Sequence, residues 1–201
     1  MKGKYYAVRK GRNTGIFNTW EECKKQINGF KCAEYKSFTK YDEAVNYIDN
    51  KKEDINFEDI ILDENNIIAY VDGSFNGGDT YAFGIVLITY NGNKEISKSI
   101  TDAENALMRN VAGEISGSMY AMNYAYENEV ENLYIFYDYA GIEKWCSGEW
   151  KTNKNGTRKY KEFYDEISKK VKVHFVKVKG HSNDHYNDLA DKLAKKALGI
   201  G

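Results

Sequence analysis

Ile68-Ala-Tyr-Val-Asp72-Gly-Ser74-Phe75 decides how this chain is read. An apolar run of strand-forming residues delivers a carboxylate to what reads as its C-terminal edge, and Gly73 follows at once as a place for the backbone to turn. The turn signal Asn76-Gly77-Gly78-Asp79 leads to a second apolar run, Tyr81 to Tyr90, so the two runs pair as a hairpin. An ionised Asp at the end of a buried strand is unfavourable unless a cation compensates it.

The rest of the chain contains other carboxylates placed the same way. Lys94 to Ile100 reads as a third strand. A helix follows from about Asn110 to Asn128, whose apolar positions Val111, Ile115, Met119, Met122 and Tyr126 recur at helical spacing. Glu114 sits in its first turn, close to that face, where a Glu also serves simply to complement the helix dipole. Leu133-Tyr-Ile-Phe-Tyr-Asp138 repeats the opening pattern: an apolar run ending in Asp, then a turn and helix at Ala140-Gly-Ile. Val171 to Val178 is a fifth strand, Lys179 to Asp184 a loop, and a helix from about Asn187 to Leu198 carries Asp188 and Asp191. Strands that each end in Asp bring their carboxylates together if they are neighbours in the sheet, because ligands of open α/β sheets lie at the strands' carboxyl ends. Carboxylates crowded into one pocket either take up protons or hold divalent cations. Hard oxygen donors without a Cys/His cluster favour magnesium or manganese. Two such ions about 3.5–4 Å apart suit in-line attack on a phosphodiester.

The composition, 42% hydrophobic and 29% charged, is that of a soluble globular chain with a packed core. No apolar run approaches the ~20 residues of a membrane span. Met1-Lys-Gly-Lys-Tyr-Tyr6 lacks the apolar stretch of a secretion signal, so a cytoplasmic location is expected. Cys23, Cys32 and Cys146 are odd in number and lack metal-ligand spacing, which fits buried thiols in a reducing compartment. Residues 1–52 hold 12 of the 29 Lys+Arg and 6 of the 30 Asp+Glu, leaving 17 basic and 24 acidic residues to 53–201. A basic module that holds a polyanion and an acidic one that gathers carboxylates explain this split; uneven surface charge explains it equally well.

Within residues 1–49, Lys4 to Lys10, a short run from Ile16, and Lys31 to Phe38 read as strands. Thr19-Trp20-Glu21-Glu22 reads as a capping box for a helix reaching about Gln26, and Thr39 opens a second helix through Ile48. A small α+β domain results, a three-stranded antiparallel sheet with two helices. Tyr6, Arg9, Lys10, Arg12, Trp20, Tyr35 and Lys36 mix rings with cations, a combination suited to stacking on nucleic acid and neutralising phosphates. Trp20 taken alone also fits a core position. Residues 50–65, of mixed charge and without periodicity, read as a tether that spans roughly 20 Å if flexible. Residues 66–201 form the second, α/β domain.

Residues 4 to about 48 resemble the hybrid-binding, or viroplasmin-type, domain found at the N-terminus of many type 1 ribonucleases H. Val71-Asp72-Gly73-Ser74, Arg109-Asn110-Val-Ala-Gly-Glu114, Tyr137-Asp138 and Lys179-Gly-His181, followed by Asn187-Asp188-Leu-Ala-Asp191, resemble in order the motifs of the type 1 ribonuclease H catalytic domain. The resemblance implies a mixed five-stranded sheet flanked by helices, and an endonuclease that hydrolyses the RNA strand of RNA–DNA hybrids. It implies two Mg2+ ions, replaceable by Mn2+, and 5′-phosphate and 3′-hydroxyl ends. By position, Asp72, Glu114, Asp138 and Asp191 are the implied metal ligands, and His181 assists proton movement or product release. Asp188, one turn before Asp191, competes for the fourth place.

Tyr6, Trp20, Tyr35 and Lys36 are the implied duplex contacts of the first domain. Ser74, Arg109 and Asn110 contact the substrate at the second, with Asn110 reading the RNA 2′-hydroxyl. Ser37 stands where relatives often carry a second lysine, which implies weaker duplex affinity. The segment Ile142 to Tyr160 is shorter and less basic than the substrate-gripping segment of some relatives, with Trp145 and Trp150 expected in the core. Much of the grip then falls to the first domain, which could also bind duplex RNA. A monomer is expected. A binding protein with a degenerate nuclease site, and a transposase-type nuclease of the same wider fold, are the competing readings.

Overall fold

The computed structural model describes residues 4–49, 55–178 and 184–200. Two compact units divide the chain, Met1–Ile55 and Asn56–Gly201.

In the first unit, β1 (Tyr5–Lys10) is the central strand, flanked by β2 (Gly15–Phe17) and β3 (Glu34–Phe38), both antiparallel to it. The capping box forms as the sequence suggests. Thr19 Oγ1 accepts from the Glu22 N–H and Glu22 Oε2 accepts from the Thr19 N–H, each at 3.2 Å, and α1 (Trp20–Ile27) starts there. Alternation along β1 turns Val8 towards Cys23 and Ile27 of α1. Its neighbours serve α2 (Tyr41–Asp49) on the opposite face. The Tyr5 ring lies 5.3 Å from that of Tyr41, and the Arg9 guanidinium stacks 4.0 Å over Tyr47 while donating to the Tyr47 carbonyl. β3 begins at Glu34, three residues later than expected, because the chain is still turning at Cys32, which holds a φ of 58°. Cys23 and Cys146 are buried thiols, but Cys32 is exposed in that turn.

The second unit is a mixed sheet in the order β6-β5-β4-β7-β8. β4 (Asn66–Phe75), β5 (Thr80–Thr89) and β6 (Gly92–Thr101) form an antiparallel meander; β7 (Asn132–Tyr137) and β8 (Lys172–Lys177) continue it in parallel. Period-2 alternation divides β4 between two cores. Ile67, Ala69 and Val71 pack under α4 (Asn110–Glu127), α5 (Gly141–Cys146) and α6 (Asn155–Ile167), whereas Ile68 and Tyr70 pack with Ala190 and Leu193 of α7 (His185–Ala197). A short α3 (Ala103–Ala106), capped by the Asp102 carboxylate, precedes α4.

Several expectations change. β4 runs on to Phe75, so Asp72 is an interior strand residue; pairing with β5 continues through Phe75–Tyr81, and the turn comes at Gly77 with its φ of 99°. Glu114 is the fifth residue of α4, not in its first turn. The buried stripe of α4 is largely of small residues (Ala112, Gly113, Gly117, Ala121, Ala125), and Tyr126 is exposed. Helix α6 was not anticipated, although Tyr160, Phe163, Tyr164 and Ile167 recur at helical spacing, and the Tyr160 hydroxyl, fully buried, donates to the Ile142 carbonyl. Trp145 is core as expected, but Trp150 is 38% exposed at the edge of Trp145 and Tyr139. Within the stretch read as a tether, Phe57, Ile60 and Leu62 pack against the Tyr70 and Phe136 side of the sheet, with a 3-10 turn at Phe57–Asp59. Their apolar side chains are held by that surface, so these residues belong to the second unit.

Candidate active site

Asp72 and Asp138 are brought together by register. β4 and β7 pair in parallel through Tyr70↔Phe136, and two residues further along each chain stand the two carboxylates. Glu114 arrives from α4, and glycines let that helix come close. A Cβ at Gly73 would lie 2.1 Å from the Asn110 carbonyl oxygen and 2.6 Å from the Glu114 nitrogen, distances no side chain can occupy. One oxygen from each of Asp72, Glu114 and Asp138 lies within 4.8 Å of the others.

Their electrostatics follow from burial and mutual repulsion. Glu114 is 5% exposed, and its pKa is pushed up to about 9, first by burial and then by Asp138 and Asp72; the Tyr139 backbone N–H opposes this. Asp72 is raised to about 7 by burial and by Asp138, countered by the Gly73 N–H, which donates to Asp72 Oδ1 at 2.6 Å. Glu114 Oε2 is buried without a hydrogen-bond partner. A buried carboxylate with an unpartnered oxygen, beside two more carboxylates, is a costly arrangement unless a cation completes it. The donors are all hard oxygens, so the residues fit a divalent ion of the magnesium or manganese type.

Asp191 stands apart from this trio. Its Oδ2 holds Lys195 Nζ at 2.7 Å, one turn along α7, although its charge still raises the Asp72 pKa. α7 reaches the sheet over Gly84, where a Cβ would meet the Ala190 carbonyl oxygen at 2.0 Å. Asp188 is half-buried in the first turn of α7. His181 lies outside the described residues. Ser74 is buried two residues beyond Asp72; Arg109, with a φ of 55°, precedes α4, and Asn110 is its exposed first residue. His174 stacks on Tyr134 at 4.5 Å, away from the trio on β8, and His185 is exposed at the start of α7. The residues missed from sequence are Lys195, signalled only by its spacing of four from Asp191, and Tyr139, whose contribution is a backbone N–H that side-chain chemistry does not announce.

On the first unit, Tyr6, Trp20 and Tyr35 form a row. Trp20 lies 5.8 Å from Tyr6 and 5.9 Å from Tyr35, ring to ring, and both Trp20 and Tyr35 are exposed. Trp20 is therefore a surface ring beside the α1 core rather than a buried one. Lys36 alternates to the other face of β3, its ammonium 5.6 Å from the Phe38 ring.

Comparison with known proteins places both units. The family described as RNase H matches residues 64–199, and that described as Ribonuclease H1 N-terminal domain matches residues 4–48. The chain belongs to the ribonuclease H family. A "Ribonuclease H" of Clostridium botulinum is 34% identical over 146 residues, covering 66% of this chain and 95% of the relative. The Saccharomyces cerevisiae "Ribonuclease H" is 53% identical over 47 residues, 23% of this chain and 14% of the yeast protein. Among solved structures, the RNase H1 of Halobacterium salinarum superposes with a TM-score of 0.53 at 24% identity, over 67% of this chain and 98% of that one. LC11-RNase H1, solved in complex with an RNA/DNA hybrid, gives 0.51 at 19% identity, over 66% and 99%. This ribonuclease H is thus an enzyme, a hydrolase with nuclease activity, and the mixed sheet is the fold of its relatives. Among the described residues no helix is long and apolar enough to cross a membrane.

Proposed function

We propose that this enzyme hydrolyses the RNA strand of RNA–DNA hybrids at the Asp72, Glu114 and Asp138 cluster, leaving 5′-phosphate and 3′-hydroxyl ends. The observation that carries this is the trio itself, three carboxylates within 4.8 Å of one another with one buried oxygen unpartnered. Asp72, Glu114 and Asp138 would hold a divalent ion, Mg2+ or Mn2+, and Asp191 would join them for a second. Bound there, the ions would supply an activated water and compensate charge on the leaving 3′ oxygen.

The protein's own part is positioning. The glycine contact between β4 and α4 fixes Glu114, and the Tyr139 N–H orients its carboxylate. The strand pairing fixes Asp72 against Asp138. Ser74, Arg109 and Asn110 line the substrate side of the cluster, where Asn110 reads the 2′-hydroxyl that distinguishes RNA from DNA. His181, which precedes α7 in the sequence, assists proton movement or product release. On the first unit, Tyr6, Trp20 and Tyr35 stack against the duplex, and Lys36, on the opposite face of the edge strand β3, meets its backbone by reaching round that edge. A relative solved with an RNA/DNA hybrid, and the family match of the first unit, support the choice of substrate.

Product chemistry tests this. The RNA fragments should carry 5′-phosphates and 3′-hydroxyls that a polymerase extends without prior phosphatase treatment. Fragments ending in 2′,3′-cyclic phosphate would mean that the 2′-hydroxyl attacks, and would exclude the hydrolytic mechanism.

A further inference from the structure

An Asp and a Lys four residues apart on a helix commonly pair, and on most surfaces the pair does little. The pair on α7 differs in where it sits. Asp191 is half-buried, its Oδ2 is 2.7 Å from Lys195 Nζ, and Ala190 beside it closes on Gly84, the residue paired with Asp72 across β4 and β5. The Lys195 ammonium is thus tethered to the fourth expected carboxylate, which stands outside the trio. The remaining trio can offer three oxygens to one ion without Asp191.

Resting on the metal-dependent mechanism proposed above, we infer that Lys195 is a positioning residue that keeps Asp191 from the cluster and so orders metal loading. The first ion enters the Asp72, Glu114 and Asp138 cradle. The second competes with the Lys195 ammonium for the Asp191 oxygen and enters more weakly. A unit positive charge held on a ligand oxygen opposes an incoming divalent ion, and removing it is worth on the order of tenfold in that ion's affinity. Lysine suits this task because its flexible stem can give up the contact when a stronger cation arrives. The cluster is thereby partly neutralised before the second ion binds, and a two-ion state forms only at higher metal concentration.

Mn2+ titration of the full chain, followed by electron paramagnetic resonance and calorimetry, reads ion number and affinity without turnover. Lys195→Met should gain a second Mn2+ ion or tighten it about tenfold, with the first ion changed less than about threefold. Lys195→Arg keeps the charge and should bind the second ion no more tightly than wild type. Lys196→Met, removing an equal charge from the exposed neighbour, is the control and should change neither ion. Equal tightening of both ions, the same effect from Lys196→Met, or no change in Lys195→Met would overturn the role of Lys195. A wild-type chain that binds no Mn2+ would instead refute the metal-dependent mechanism, and the ordering with it.

Discussion

Gly113 faces Gly73 across the contact between α4 and β4: a Cβ at Gly113 would stand 2.8 Å from the Gly73 Cα and 2.0 Å from the Ala82 carbonyl oxygen. Both obstacles are backbone, so neither can move aside cheaply. In an exposed helix Gly→Ala stabilises by up to ~1 kcal/mol; here the sign should reverse. Gly113→Ala is expected to destabilise by about 1–3 kcal/mol through overpacking. Because Glu114 is the next residue, the folded variant should also lose most of its activity. Denaturant unfolding and cleavage assays at a temperature where the variant is folded check both parts. A stabilised or fully active variant would show that the approach of α4 is not needed.

Glu114 should leave a pH signature in the metal-free protein. Its folded pKa of about 9 lies above the unfolded value of about 4.3, so the folded state holds the proton more tightly. Stability conferred by that proton is complete below the unfolded value and is lost as pH rises towards the folded one. Asp72, raised to about 7, adds a loss of the same sign over a narrower range. With EDTA present, wild-type stability should fall between about pH 5 and 9, while Glu114→Gln falls less steeply and gains on wild type as pH rises. Mg2+ should restore wild type at the alkaline end more than the variant. Parallel melting curves at every pH would contradict the buried, proton-holding state of Glu114.

Trp20 is 38% exposed between Tyr6 and Tyr35, so its removal should spare the fold. Loss of one stacking ring costs about 1–3 kcal/mol per base in single-strand readers, which sets the scale here. Trp20→Ala is expected to weaken hybrid binding by roughly 5- to 150-fold, in line with that cost. Trp20→Tyr should recover much of the affinity. Turnover on saturating short hybrid should stay near wild type, since the carboxylates lie in the second unit. Collapse of turnover in a folded variant would mean that the units do not act separately.

Asp191 and Asp188 can be separated by paired substitutions. Asp191→Asn should raise the metal concentration needed for cleavage and cut the rate by at least about tenfold, as for the loss of a ligand or of its supporting contact. Asp188→Asn should change little. The reverse pattern would move the fourth ligand one turn towards the start of α7.

Much of this was legible because strand alternation and helix capping are local. Thr19 with Glu22 marks the start of α1 from four residues alone. The apolar runs before Asp72 and Asp138 mark two strands whose pairing brings the carboxylates together. What stayed hidden depends on partners distant in sequence. The continuation of β4 past Asp72 is decided by β5, and Gly73 is required by a helix that starts at Asn110 rather than by a turn. The apolar residues Phe57, Ile60 and Leu62 are too sparse to show a period, and only the Tyr70 and Phe136 surface reveals where they go. Helix α6 was obscured by its charged residues, although its apolar stripe is regular. Asp191 could be placed by motif, but its bond to Lys195 is a matter of side-chain geometry that spacing permits without requiring.

The most direct test of the central claim is cleavage of an RNA–DNA hybrid, each strand labelled separately, by wild type and Asp72→Asn with and without Mg2+. Wild type should cut the RNA strand alone and only with the metal. Asp72→Asn should still bind the hybrid but cleave at least about 10³-fold more slowly, as expected when charge stabilisation at a metal centre is lost. Cleavage of RNA by Asp72→Asn at the wild-type rate, or by wild type in EDTA, would contradict the account.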